Sequence, residues 1–552
     1  MDREFNLIDE PWICVRDNGC EVKEISIRQV FEHAQDYTEL AGETKTQDMA
    51  VLRFLLAVIY TVFSRYDKNG DEVDPEDDIN YLTDNWIEVY RSGKFPMKPF
   101  EKYFEKWYDR FWLFDEEYPF YQSNKVNGKG KATSIAKMIG SLFESANKPR
   151  LFSDRNNDGR LLSYSEAVRW LLHIICFDDT AAKQPVPKKS WVSILGLIAV
   201  RGNNLFETLM LNYNAESDSE YDVYVSTPSW EKDNNKAEFN TLIPVPDNQA
   251  ALLSLMSRRV YLCRENGKVN GYYISGGDYF EEVEVFGEQM TLWRSYKEKG
   301  SDSIKYKPQL HKPSTKAWQE FGSIAALEGD ENSSTARKPG VIAHIESYID
   351  RSYLDNCFLL NVTTASVIHD FNDSMCFKIV DSISDELSFH SDLLMKVGEA
   401  WRYRIGNEIG KCESAAKAVN KLSINLQKSA GASGDKLSGE DAKTQFYSMI
   451  DKPFRDWLSQ LDTSYDIDEY TGKIEDTVRK IAIVFGNDCV HQMSANTIFG
   501  RYEKDGKDKN LVTTVEALNI FNATINKIAD EKLKRTLQLM EEQECQRSNL
   551  KN

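Results

Sequence analysis

Six lysines, at 297, 299, 305, 307, 312 and 316, crowd one short window that holds only two acids, Glu298 and Asp302. Ammonium groups at that density can displace counterions from phosphate, so the window is a candidate for nucleic-acid contact. The competing reading is a solvated basic loop. Tyr121 to Lys137, with Lys125, Lys129, Lys131 and Lys137 and no acid, invites the same two readings. Acids outnumber bases in the whole chain, 87 Asp+Glu against 68 Lys+Arg for a net charge of -19, so non-specific coating of nucleic acid is excluded and any contact must be local.

Other arrangements suggest chemistry and fail on spacing. Asp67-Lys-Asn-Gly-Asp-Glu-Val-Asp74 alternates oxygen ligands like a calcium loop, but its Gly is displaced and position twelve is Asp78 in place of Glu. It reads as a solvated acidic loop. Gly406-Asn-Glu-Ile-Gly-Lys-Cys412 lacks one residue between its glycines and ends in Cys where a phosphate loop needs Ser or Thr for magnesium. The seven histidines contain no H-E-x-x-H pattern, and His369-Asp370 has no second histidine nearby. Nine scattered cysteines without a C-x-x-C pair read as reduced thiols, neither a disulfide framework nor a zinc site. The expectation is no metal, no cofactor and no catalytic group.

The elements that must carry these residues follow from periodicity. Met49, Leu52, Leu55, Leu56, Ile59 and Phe63 recur at helical spacing, with Thr46 as the expected N-cap and the Asp67 to Gly70 turn as the stop. Val223–Thr227, Arg259–Cys263 and Tyr272–Ser275 carry strand signals, and Asn266-Gly267 predicts a tight type I′ hairpin between the last two. From about Phe389 the pattern turns helical: Leu393 to Trp401, Phe446 to Leu461, Gly472 to Phe485 and Val512 to Gln543. Ser429 to Lys436 is small and polar, a flexible loop. The fold class is therefore α+β, a large mixed N-terminal domain over 1–380 followed by a C-terminal four-helix bundle over 381–552. No apolar run of about 18 or more residues and no signal peptide are present, so no membrane partner and a cytoplasmic location are expected.

Two separated signatures add to this reading: Phe5-Asn-Leu-Ile-Asp-Glu-Pro-Trp-Ile13 and Gly196-Leu-Ile-Ala-Val-Arg-Gly-Asn-Asn-Leu-Phe-Glu-Thr-Leu-Met-Leu-Asn-Tyr213. With Leu255-Met-Ser-Arg-Arg-Val-Tyr-Leu262, the Lys297-Glu-Lys299 run and Leu310-His-Lys-Pro-Ser314 following in order, the chain resembles CasA, the large subunit of the type I-E CRISPR Cascade complex. The resemblance implies a non-catalytic subunit that recognises a protospacer-adjacent motif in duplex DNA through the minor groove. It further implies that the subunit starts duplex opening for guide RNA pairing, contacts other Cascade subunits and docks a helicase-nuclease effector.

Site residues follow from the same resemblance. The loop that meets the guide RNA's five-prime end corresponds to Asn147–Arg160, with Phe152, Ser153 and Asp154 at its centre and Lys148, Arg150 and Arg155 as phosphate partners. Phe152 either stacks on a base or packs into its own domain. The motif-reading lysine falls at Lys297 or Lys299. The family's glycine-rich loop falls on Ala181 to Lys189, which includes Lys183 and Gln184 and contains no glycine. The wedge falls on Val362 to Ser366, including Thr363, Thr364 and Ala365, with Thr364 where the family has glutamine. Two alternatives remain open: an assembly subunit without DNA motif reading, and an enzyme with an unrecognised site. Paired cysteines that some members carry are replaced here by Leu161 and Leu162.

Overall fold

The computed structural model describes residues 3–75, 80–139, 161–178, 189–216, 225–298, 300, 303–326, 337–371, 377–434, 437–502 and 511–528. The chain divides into two compact units. The first comprises Met1–Pro313, Ala326–Asn356 and Leu360–Glu386; the second comprises Ser314–Ala325, Cys357–Leu359 and Leu387–Asn552. The break at 386/387 lies a few residues beyond the expected 380, and the short segments from 314 and 357 that join the second unit carry no sequence signal of their own.

The first unit is mixed, with strands in small sheets of two or three and helices between them. Its central helix, Lys45–Phe63, has nearly every residue buried. Its length and composition would suit a membrane span, but 94% of the apolar window is buried inside the fold, as in a core helix. The cap is Thr44, not Thr46: the Thr44 hydroxyl accepts the Gln47 N–H at 3.2 Å. Thr46 is buried two residues further on, within the first turn, its hydroxyl 3.2 Å from His173 Nε2. Aromatic rings fill the space beside this helix, with Phe31 stacked on Phe100 at 4.2 Å and Phe54 against Trp230 at 5.2 Å.

The expected hairpin is present. Arg258–Glu265 and Lys268–Gly276 pair antiparallel across Asn266 and Gly267, whose φ angles of 51° and 72° are those a type I′ turn requires. Of the expected strand at Val223–Thr227, 223 and 224 lie outside the described residues, and 225–227 run in irregular backbone in place of a strand. The acidic Asp67 loop satisfies itself, because Asp67 Oδ1 accepts the Asn69 and Asp71 N–H groups at 2.9 and 2.8 Å. No cluster of metal-ligating side chains occurs among the described residues.

The second unit is built on helices Glu399–Ser429, Glu440–Ser459 and Ile467–His491 and a fourth helical stretch over 514–528. The first begins at Glu399 because Ser391–Leu394 and Lys396–Gly398 form tight 3₁₀ turns instead. Gly406–Cys412 lies within it, so no phosphate loop forms there. In this unit's core Trp318 stacks on Phe454 at 4.2 Å while its indole N–H donates to Asp451 Oδ1 at 2.9 Å.

Two buried histidines in the first unit give the fold an acid sensitivity. Burial pushes both His173 and His344 down to about 3, and neither ring nitrogen of His344 has a hydrogen-bond partner among the described residues. Below 6.5 the unfolded chain protonates them while the folded chain does not, so their contribution is complete above 6.5 and is lost as pH falls toward 3. Asp48, pushed up to about 6 by burial, acts in the opposite sense over part of this window. The histidine effect is therefore read by difference. His344→Phe is expected to gain about 2 kcal/mol on the natural protein between pH 7 and 5 in urea unfolding, at about 1.4 kcal/mol per pH unit below 6.5. A constant difference across that range would assign the burial of His344 no role in acid lability.

Candidate nucleic-acid interface

Lys297 ends the strand Trp293–Lys297, which pairs with Ile304–Pro308 so that Lys297 faces Ile304 across the ladder. Trp293 at the strand's other end is buried and holds the hairpin in the first unit. Phe286 packs on Trp293 at 5.3 Å. At the tip, Lys297 is exposed and has no acidic partner among the described residues. Its neighbours are less free: Lys305 pairs with Glu298 at 3.0 Å, and the Lys307 ammonium lies over the Tyr296 ring at 4.6 Å. Lys299 lies outside the described residues, as do Phe152, Ser153, Asp154, Lys183 and Gln184.

The hairpin is anchored from below by a buried ion pair. Arg53, from the central helix, meets Glu288 in a two-pronged contact at 2.7 and 2.9 Å, and both side chains are fully buried. The same carboxylate accepts the Trp191 indole N–H at 2.9 Å and the Met290 backbone N–H at 3.3 Å. Glu288 thus fixes the segment entering the hairpin to the central helix and to the chain at Trp191.

The wedge residues are corrected by burial. Leu359–Phe371 is the middle strand of a three-stranded sheet, between Phe377–His390 and Leu197–Arg201. Thr364 pairs with Ile198 and Ala365 with Leu197, and the two side chains are 2% and 0% exposed. The Thr364 hydroxyl donates to the Asp385 carbonyl at 3.3 Å. Side chains enclosed in this way cannot enter a base step, so Thr364 and Ala365 are core residues; Thr363 is half-buried. The turn of the same hairpin, 372–376, lies outside the described residues.

The signature residues prove to be architectural. In the first, the Asn6 side chain accepts the Ile8 N–H at 3.0 Å and the Trp12 indole donates to the Leu7 carbonyl at 3.0 Å. In the second, Asn204 caps the helix Leu205–Asn212, and Asn212 grips both backbone groups of Val200, at 2.9 and 2.6 Å, as a neighbouring strand would. Gly196 is required by close approach, since a Cβ there would lie 1.9 Å from the Gln309 carbonyl oxygen. His311 is buried, with Nε2 3.0 Å from the Leu197 carbonyl, and serves this sheet.

The Tyr121 to Lys137 window loses much of its free charge to the fold. Lys125 pairs with Glu238 at 3.0 Å, and Lys129 sits over the Phe239 ring at 4.0 Å. A basic feature that the sequence windows passed over lies on the helix Met97–Trp107, where Lys98, Lys102 and Lys106 stand one turn apart and exposed. Its period of four was the available signal.

Comparison with known proteins agrees with this architecture. The model of the family described as CRISPR-associated protein Cse1 matches residues 6–484. A CRISPR-associated protein CasA/Cse1 of Thermus thermophilus is 30% identical over 237 residues, 41% of this chain and 42% of that relative, so the aligned part spans less than half of it. Thermobifida fusca Cse1 superposes with a TM-score of 0.75 at 23% identity, covering 95% of this chain and 98% of that one. A chain of a CRISPR RNA-guided surveillance complex superposes at 0.65 with 12% identity, covering 95% and 100%. With the family model matched across most of its length, the chain belongs to the CRISPR-associated Cse1 family.

Proposed function

We propose that this chain is the large subunit of a type I-E CRISPR RNA-guided surveillance complex, in which it binds and positions nucleic acid without carrying out chemistry itself. In this reading it recognises a protospacer-adjacent motif from the minor groove, starts strand separation for guide RNA pairing and docks the helicase-nuclease, in the cytoplasm. The observation that supports motif reading most directly is Lys297: exposed, without an acidic partner among the described residues, and held on an antiparallel strand pair. A minor groove offers a degenerate acceptor pattern, which one lysine reads permissively. Lys299 serves equally if the contact lies two residues on, with Lys183 and Gln184 of the 181–189 segment and Thr363 of the strand Leu359–Phe371 as further contacts.

The test is reconstitution with the other Cascade subunits and guide RNA, followed by selection from a duplex library with a randomised motif. Enrichment of a short motif that Lys297→Ala abolishes supports the reading; guide-dependent binding with no motif preference overturns it. The latter result would favour an assembly subunit without motif reading, for which the buried Thr364 and Ala365 and the glycine-free 181–189 segment speak. The isolated chain should bind short duplexes weakly and with a shallow salt slope, because a net charge of -19 leaves few phosphates neutralised.

Phe152, with Ser153 and Asp154 beside it, is proposed to meet the guide RNA end. Phe152→Ala is then expected to weaken assembly into the complex while leaving the melting temperature of the isolated chain nearly unchanged. A core Phe would instead cost about 3 to 5 kcal/mol on truncation.

A further inference from the structure

The helix Met97–Trp107 has two chemically distinct faces. Pro99, Phe100, Tyr103 and Phe104 are buried, whereas Lys98, Lys102 and Lys106 are exposed. At a rise of about 1.5 Å per residue the three ammonium stems leave the helix at intervals of about 6 Å. Lys94 precedes this row by the same spacing in sequence and Arg110 follows it.

The fold makes little use of this charge: Lys106 acts on the Glu231 carboxylate only as the last of several influences. Among the described residues Lys94, Lys98 and Lys106 have no ion-pair partner, and Lys102 lies over the Tyr66 ring at 5.9 Å. The acids nearest in sequence are turned elsewhere: Glu101 to Arg28, and Asp109 to Arg3 at 2.5 Å. Glu105 alone is exposed on the same helix. Several other surface lysines are matched; Lys23 holds Asp17 at 2.5 Å, Lys45 holds Glu39 at 3.4 Å and Lys236 holds Asp233 at 3.1 Å. Opposing the row, the Asp67 to Asp71 turn packs against the helix start, where a Cβ on Gly70 would lie 3.4 Å from the Lys98 carbonyl. Asp67, however, spends its carboxylate on its own turn. An unmatched line of lysines in a chain with an excess of acids fits an external polyanion. Phosphates of one strand advance by about 3.4 Å per nucleotide along a duplex, so steps of about 6 Å meet roughly every second one.

We infer that Lys98, Lys102 and Lys106 form a docking track for the phosphodiester backbone of duplex DNA that contributes affinity without sequence preference. This rests on the reading of the chain as a nucleic-acid-handling subunit, but not on Lys297 as motif reader. The test is the reconstituted complex carrying Lys98→Gln, Lys102→Gln and Lys106→Gln together, titrated over a range of salt with motif-bearing duplex, with motif-scrambled duplex and, during loading, with guide RNA. Because the three side chains are exposed, the melting temperature should hold. Expected is a fall in the slope of log affinity against log salt of up to about 2.7 for three contacts at about 0.9 each, equal on both duplexes. A fall confined to guide RNA loading, at about 0.7 per contact for a single strand, overturns the duplex track and gives the row to RNA instead. Unchanged slopes on DNA and RNA overturn it, and so does a loss restricted to motif-bearing duplex. Lys297→Ala in the same assay separates the two readings: if it leaves motif preference intact while the triple variant still lowers the slope, motif reading by Lys297 fails and the track stands.

Discussion

Glu288→Ala is expected to lower the stability of the first unit by about 3 to 5 kcal/mol, the usual cost of stranding one member of a buried ion pair. Arg53 would be left fully buried with its charge uncompensated, and the Trp191 indole and the Met290 N–H would lose their shared acceptor. Charge, and not packing alone, is the cause, so the effect should be largely reversed by removing both charges at once. Arg53→Met with Glu288→Leu keeps the volume and discards the desolvation penalty. What remains are the unpaired Trp191 indole and Met290 N–H groups, a residual cost of about 1 to 3 kcal/mol each. Urea unfolding of the three proteins decides the matter: a double variant as unstable as Glu288→Ala would mean that shape at this site, not the paired charge, holds the central helix to the hairpin.

How much of this was legible in the sequence depends on whether a local rule had competition. The Asn266-Gly267 hairpin was legible because positive φ at two successive residues is a local demand that Asn and Gly meet cheaply. The central helix was legible from its apolar period, but its cap was misplaced by two residues. Thr44 and Thr46 both suit a cap, and burial of Thr46 against His173 is a tertiary fact. The same limit explains the wedge. Thr363, Thr364 and Ala365 read as a small polar stretch suited to a groove, yet pairing with Leu197 and Ile198 encloses two of the three. Nothing in the local sequence announces a partner strand more than 160 residues away in the chain, and the 314–325 and 357–359 segments of the second unit were hidden for the same reason. The lysine window was legible as composition only. Which lysines are free is decided by Glu298 and Tyr296, which claim Lys305 and Lys307 and leave Lys297 open.

Lys297→Ala in the reconstituted complex is expected to lower affinity for motif-bearing duplex by about 1 to 3 kcal/mol, as loss of a base contact does. The side chain is exposed at the hairpin's edge, so the melting temperature should barely move. Thr364→Gly supplies the contrast, because it removes a buried side chain and its bond to the Asp385 carbonyl and should lower stability whether or not DNA is present. The loss for Lys297→Ala should largely vanish on targets whose motif-proximal strands are already separated, since those no longer need the minor-groove contact to begin opening. Lys299→Ala is the matched control for register, because the two lysines lie on opposite sides of Glu298. Measuring initial binding and strand opening separately, on intact and pre-opened duplexes, gives the decision. A loss of equal size on both targets for Lys297→Ala would mean that this lysine holds the phosphate backbone and does not read the motif.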